Sequence, residues 1–246
     1  MSFENRSFWR NPASAFFTFA FPLMFLVIFN LLFGDEPVPV GNGEDVEASN
    51  FYVPAIAAFS IITACYTNIA MGVSFARDQG VLKRKRGTPL PSWAYLGGRV
   101  IHAVLVAVLL VTIVVAFGVL FYNVDAPVDA VPNFLTALVV GAAAFCALGL
   151  ATSAIVPNAD AAPAVVNATI LPLLFISNVF IPDANAPEWL KTFAGFFPVK
   201  HFADAMLASF NPALYDFEFF DLLVVALWGV AGAAFAIRNF SWEPRR

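Results

Sequence analysis

The residues best placed to do work in this chain form one run, RDQGVLKRKRGTPLP from Arg77 to Pro91, where charge, glycine and proline crowd between two long apolar stretches. Elsewhere ionisable groups keep to the edges of such stretches. His102 opens the third and Asp221 the sixth, both where water reaches, so both read as interfacial residues rather than the buried relay of a proton-driven carrier. Cys65 and Cys146 lie inside apolar runs and predict neither a disulfide framework nor a metal site. No lysine follows a glycine, because Lys83, Lys85, Lys191 and Lys200 follow Leu82, Arg84, Leu190 and Val199, so the phosphate loop G-x-x-x-x-G-K-[ST] is missing. No catalytic residue is identified.

Polar side chains within the apolar stretches are the remaining candidates. Thr63, Tyr66, Thr67 and Asn68 lie in the second, and Asn167, Thr169, Ser177 and Asn178 in the fifth. Each either lines a path or bonds to a neighbouring helix, a contact worth ~0.6 kcal/mol on average in membranes. The second role is the default for any one of them, and Asn68 and Asn178 are the candidates for a substrate path.

The elements that must position these residues follow from composition. Of 246 residues 60% are hydrophobic and 12% charged, against roughly 25% charged in a soluble domain. With a mean hydropathy of +0.78, the solvent is lipid. The expected fold is all-α, one polytopic membrane domain over residues 1–246. Its six transmembrane helices are 16–33, 51–75, 100–122, 134–156, 164–181 and 219–237. The first, fifth and sixth fall short of the ~20 residues a span needs, which calls for helix ends in the interface or a thinned bilayer. The first is too long for a signal-peptide core and lacks a small-x-small cleavage site, so it is read as retained.

Charge sets the orientation. Arg6 and Arg10 precede the first span, Arg77, Lys83, Arg84, Lys85, Arg86 and Arg99 separate the second from the third, and Arg238, Arg245 and Arg246 follow the last. Only Lys191 and Lys200 fall on the other side, so both termini are expected in the cytoplasm. Phe8, Trp9 and Trp242 suit interfacial anchors, Ser2–Asn11 a surface helix, and Gly34–Asn50 an irregular external loop. Gly141, Ala143, Ala147, Gly149 and Ala151 in the fourth span, and Gly229 and Ala233 in the sixth, predict close helix packing. Pro22 and Pro172 predict kinks.

A transporter with no couple of its own is passive or borrows work from a separate ATPase. The place for such a partner is the cytoplasmic connection Arg77–Arg99, in which Arg77–Arg86 is expected to prolong the second span until Gly87 and Pro89 end the helix. The alternative is a basic loop held on anionic lipid at about 1 kcal/mol per charge, and the two roles can coexist.

Three blocks then resemble the membrane subunits of the second type of ABC exporters: WRNPASAFFTFAFPL (Trp9–Leu23), the loop already quoted (Arg77–Pro91), and PLLFISNVFIP (Pro172–Pro182) with PEWL (Pro187–Leu190) and FFPVKHFADA (Phe196–Ala205). They stand in family order across almost the whole chain, and the Lys83–Arg86 run is denser in charge than usual. The resemblance implies a dimer, with itself or a sister permease, above two copies of a separate ATPase that hold ATP and Mg. The chain itself binds no cofactor or metal and needs no nucleic acid. It implies outward movement of a drug, lipid or lipid-linked glycan by alternating access in a bacterial inner membrane. The coupling helix falls in Arg77–Trp93, so Arg77, Asp78, Gln79, Gly80, Val81, Leu82, Lys83, Arg84, Thr88, Pro89, Leu90 and Pro91 are the coupling residues. Between the fifth and sixth helices Ala184–His201, with Trp189, Phe196 and Pro198, resembles a re-entrant helical pair. A passive channel or scaffold, and a proton-coupled carrier acting through His102 and Asp221, stay open as alternatives.

Overall fold

In lipid every backbone N–H and C=O needs a partner within the chain, and a helix supplies one locally. The computed structural model describes residues 12–34, 37–39, 45–86, 92–127, 130–184, 186–211 and 217–242. Among them the regular structure is helical apart from a two-residue antiparallel ladder of β1 (Val38–Pro39) with β2 (Asp45–Val46). The helices are α1 (Pro12–Phe33), α2 (Ala48–Ile62), a π-helical turn (Thr63–Thr67), α3 (Asn68–Asp78), α4 (Val81–Arg86), α5 (Ser92–Tyr122), α6 (Val131–Ile155), α7 (Ala162–Ile176), α8 (Glu188–Ala194), α9 (Pro198–Phe210) and α10 (Phe219–Asn239).

Among the described residues four rods are long and apolar enough to cross a membrane: Ala48–Asp78, Ala94–Tyr122, Val131–Ile155 and Phe219–Asn239. Shorter apolar helices cover Thr18–Phe33 and Ala162–Ile176. This is a multi-pass membrane protein. Its central rod is α2, buried at every position from Phe51 to Ile62. Helices α1, α5 and α9 pack on α2, and α6 packs on α3 and α10. The small-residue faces meet as their spacing predicts. A Cβ on Gly229 would stand 2.8 Å from Ala144 Cα, and one on Gly149 2.7 Å from the Tyr66 carbonyl oxygen. Ala143 instead faces outward.

Three boundaries depart from expectation. Arg77–Arg86 is not one continuous helix: α3 ends at Asp78, Gly80 takes a left-handed φ of 68° and α4 restarts at Val81. The amides of Gln79 and Gly80 turn back onto the Phe75 and Arg77 carbonyls, a helix stop that glycine permits without steric cost. The fifth apolar stretch stops as a helix at Ile176 rather than Ile181. There Asn178 adopts a φ of 61°, held by its own amide contacts. Helix α5 begins at Ser92, well before the expected Val100, because Ala94–Tyr122 is uninterrupted by proline. Ser2–Asn11, Gly87 and the residues after Trp242 fall outside the described residues.

Candidate functional site

The α3–α4 corner is built on a buried cation. Arg77, 1% exposed, lies in the last turn of α3. Its guanidinium donates to the Ser153 carbonyl (2.8 Å) and to the Val156 carbonyl. Those oxygens close α6, where the last carbonyls lack helical donors and the helix dipole is negative. Next to it the Asp78 Oδ2 accepts from the Ala159 amide (3.1 Å) in the α6–α7 connection. Leu82 of α4 is fully buried, Val81 half-buried, and Gln79, Lys83 and Arg84 are exposed. Of the residues read as coupling residues, the structure therefore sets Arg77 and Leu82 inside and presents Gln79, Lys83 and Arg84 outside. Thr88, Pro89, Leu90 and Pro91 lie outside the described residues.

The ends of the bundle differ in sign. Leu96 of α5, Leu150 of α6 and Ile237 and Trp242 at the end of α10 line one cleft, so the end that carries Arg77, Lys83 and Arg84 also carries Arg99 and Arg238. At the opposite end Asn211 Nδ2 donates to the Asn50 carbonyl (3.0 Å) and Phe210 meets Phe134. That end gathers Asp183, Glu188, Asp204, Glu218 and Asp221 against Lys191 and Lys200.

Here the chain after α7 is pinned by a polar cluster that sequence reasoning did not assemble. Buried Asn178 donates to Asp204 Oδ1 (3.0 Å) and accepts the Asp183 amide (3.1 Å). Lys200 Nζ pairs with Asp204 Oδ2 (3.2 Å) and with Asp183 Oδ2. Burial alone would lower the Lys200 pKa, yet the two carboxylates hold it above the ordinary value. Burial pushes the Asp204 carboxyl up, with Lys200 pulling against it. Asn178 is thus committed to this cluster, whereas Asn68 stands exposed on α3. His102 lies half-buried on α5.

The α8–α9 hairpin packs along α10. Phe196 is 67% exposed at its tip, and its carbonyl accepts from Trp228 Nε1 (3.0 Å). Trp228 is two and a half turns into α10, about 13 Å along its axis. Trp189 is exposed and Pro198, at the start of α9, buried. His201 locks the turn: Nδ1 lies 2.6 Å from Asp221 Oδ1 and Nε2 2.7 Å from the Gly195 carbonyl. Both partners are acceptors, so both ring nitrogens donate only in the imidazolium form. The hydrogen bond to Asp221 leads in raising the His201 pKa, burial opposes it, and the Gly195 carbonyl and the Asp204 charge add to the rise. A raised histidine pKa stabilises fully below the ordinary value near 6.5 and loses its effect as pH climbs through the folded-state value. The midpoint of thermal unfolding should therefore fall as pH rises above the ordinary histidine value near 6.5. In Asp221→Asn that slope should flatten; an unchanged slope would remove His201 from the account.

Between α6, α7 and α10 lies a cavity of about 610 Å³, walled almost wholly by apolar side chains. Tyr66 and Thr169, singled out separately in the sequence, meet there with Thr152.

The model of the ABC-2 type transporter family matches residues 1–211. The chain belongs to the ABC-2 type transporter family. Among curated relatives, the Probable multidrug ABC transporter permease YbhR of Escherichia coli (strain K12) is 26% identical over 179 residues, 69% of this chain and 48% of that protein. The Daunorubicin resistance ABC transporter permease protein DrrB1 of Streptomyces coeruleorubidus is 27% identical over 190 residues, 75% of this chain and 64% of that one. The Putative transport permease ycf38 of Porphyra purpurea is 25% identical over 223 residues, 90% and 75% of the two. The chain thus spans about half of YbhR.

Proposed function

We propose that this chain is the membrane-spanning permease subunit of an ATP-driven exporter that moves a hydrophobic or amphipathic substrate outward by alternating access. In this reading residues 1–246 form one domain of six passes with both termini in the cytoplasm of a bacterial inner membrane. Helix α4 and its flanks are the coupling helix. Two copies of a separate ATPase supply ATP and Mg beneath a pair of permeases. Helix α1, 22 residues and about 33 Å long, is long enough for the first pass. Helix α7, 15 residues and about 22 Å, completes the fifth if the α8–α9 hairpin is re-entrant and fills the outer leaflet beside it. The contact of Phe196 with Trp228 supports that hairpin reading.

The observation that carries the proposal is the Arg77–Asp78 clamp. A push on α4 reaches α3 through the Gly80 turn and the α6–α7 connection through Ser153, Val156 and Ala159. Force at one exposed corner therefore moves three spans together. Gly80 is the position to test. Its added Cβ meets nothing within 4 Å, so a substitution acts through the left-handed backbone alone, at about 1–2 kcal/mol. Gly80→Val should cut ATPase-coupled transport roughly tenfold while Gly80→Asn, which tolerates that conformation, retains it. Leu82→Asp should abolish co-purification with the ATPase. Unchanged assembly and coupled hydrolysis in all of these would sink the docking assignment. Transport that continues without ATP would return the chain to the passive-channel reading, and loss of transport on replacing His102 or Asp221 with the ATPase intact would point to proton coupling.

A further inference from the structure

The 610 Å³ cavity lies apart from the Arg77–Asp78 clamp, and its construction specifies a ligand. Small-molecule sites run from roughly 300 to 1,000 Å³ with apolar, aromatic walls and a few placed polar groups. Here Tyr66, which lines the cavity, sits in a π-helical turn, a helical irregularity that tends to mark functional sites. Phe193 and Phe197 of the hairpin form the roof. Ala168 and Thr169 of α7 and Ala231 and Phe235 of α10 line the cavity and are exposed as well. The mouth is therefore a sideways gap between two apolar helices.

Its hydrogen-bonding capacity can be counted. Thr169 Oγ1 is within reach of the Val165 and Val166 carbonyls (3.0 and 2.8 Å), which can only accept its proton. The 2.6 Å contact between Tyr66 and Thr169 then uses the tyrosine proton, and Thr152 Oγ1 donates to the Tyr66 oxygen (3.0 Å). The Trp228 N–H is taken by the Phe196 carbonyl. Every lining side-chain proton is committed, and what remains is lone pairs. Pro172, which also lines the cavity, adds to them by depriving the Ala168 carbonyl of its helical N–H. Among the described residues no Asp, Glu, Lys, Arg or His lines the cavity, so an ion inside would be desolvated without compensation.

We propose that this cavity is a binding site, complete within one subunit, for a single uncharged, ring-containing molecule that bears an O–H or N–H donor and enters sideways from the bilayer. Rings are favoured because Phe145, Phe197 and Trp228 offer flat faces and edges. The donor seats on the Tyr66 and Thr169 oxygens. The inference goes beyond the exporter reading, and its test needs neither ATP nor an ATPase, so its failure leaves coupling untouched.

The probe is 4-(hydroxymethyl)benzophenone, a neutral photoreactive alcohol, with 4-methylbenzophenone as its donorless twin, applied to the full chain in nanodiscs of phosphatidylethanolamine and phosphatidylglycerol. Saturable labelling is expected on peptides from α7 and α10, with the alcohol favoured roughly five- to tenfold, the worth of one hydrogen bond. Ala168→Trp, which fills the mouth from an exposed position, should abolish that labelling. Leu171→Trp, on the outward face of the same helix, should not. Tyr66→Phe should bring the two probes within about twofold of one another. Equal labelling by both probes in the unmodified chain, or full labelling of Ala168→Trp, overturns the proposal. Displacement by oleyl alcohol at lower concentration than by the unlabelled ring alcohol would overturn it too, making the cavity an acyl-chain groove.

Discussion

Arg77→Met is expected to lower the stability of the isolated chain by about 2–4 kcal/mol, a drop of roughly 5–15 °C in the midpoint of thermal unfolding. Two effects oppose each other. Methionine keeps most of the apolar stem and removes a cation whose desolvation costs several kcal/mol. It also strands the Ser153 and Val156 carbonyls in a site that is 1% exposed, at about 1–3 kcal/mol each. The guanidinium stands at the negative end of α6, where its charge is already partly compensated, so the stranded carbonyls win. Arg77→Lys should fall between, since an ammonium lacks the planar fork that reaches both oxygens. Differential scanning fluorimetry of the three proteins in detergent checks the order. If Arg77→Met melts with the unmodified chain, Arg77 is an orientation charge that happens to be buried.

That arginine also marks the limit of what could be read from sequence. Its charge, its place after the second span and its company of Gly80 and Leu82 were all legible, because the positive-inside asymmetry and helix punctuation are local signals. Its partners were not: backbone oxygens 76 and 79 residues away have no side-chain identity to detect. The same holds for Asn178. Apolar character continues to Ile181, so hydropathy carries the fifth span past the point where one left-handed residue ends the helix. Asn178 is held there partly by Asp204, contributed from another helix. Tyr66 and Thr169 were visible as polar residues in two spans, but only folding shows that they share one hydrogen bond. The fourth and sixth spans were easier, because Gly141, Gly149 and Gly229 announce contact by lacking a side chain.

Lys200→Met gives the second large effect, and it separates a structural brace from a surface ion pair. An exposed pair would cost at most about 1 kcal/mol. Here the Lys200, Asp183 and Asp204 side chains are 17%, 19% and 28% exposed. Loss of the ammonium leaves two carboxylates that repel each other, so about 2–4 kcal/mol is expected, somewhat below the 3–5 kcal/mol of a fully buried pair. The loss has a sign in pH. With the cation gone, Asp204, whose pKa burial already raises, gains most by taking up a proton. Lys200→Met should therefore recover stability as pH falls, on top of the His201 contribution it shares with the parent. Asp204→Asn in the same background should restore much of it at neutral pH by removing the repulsion while keeping an acceptor for Asn178. Because Asp204 and Asn178 tie α9 to the end of α7, the hairpin should loosen with the brace, and faster proteolysis between Ala184 and Phe197 is the accompanying readout. A double variant no more stable than Lys200→Met, or a single variant no less stable than the parent, would mean the cluster is solvated and α9 is held by its apolar face alone.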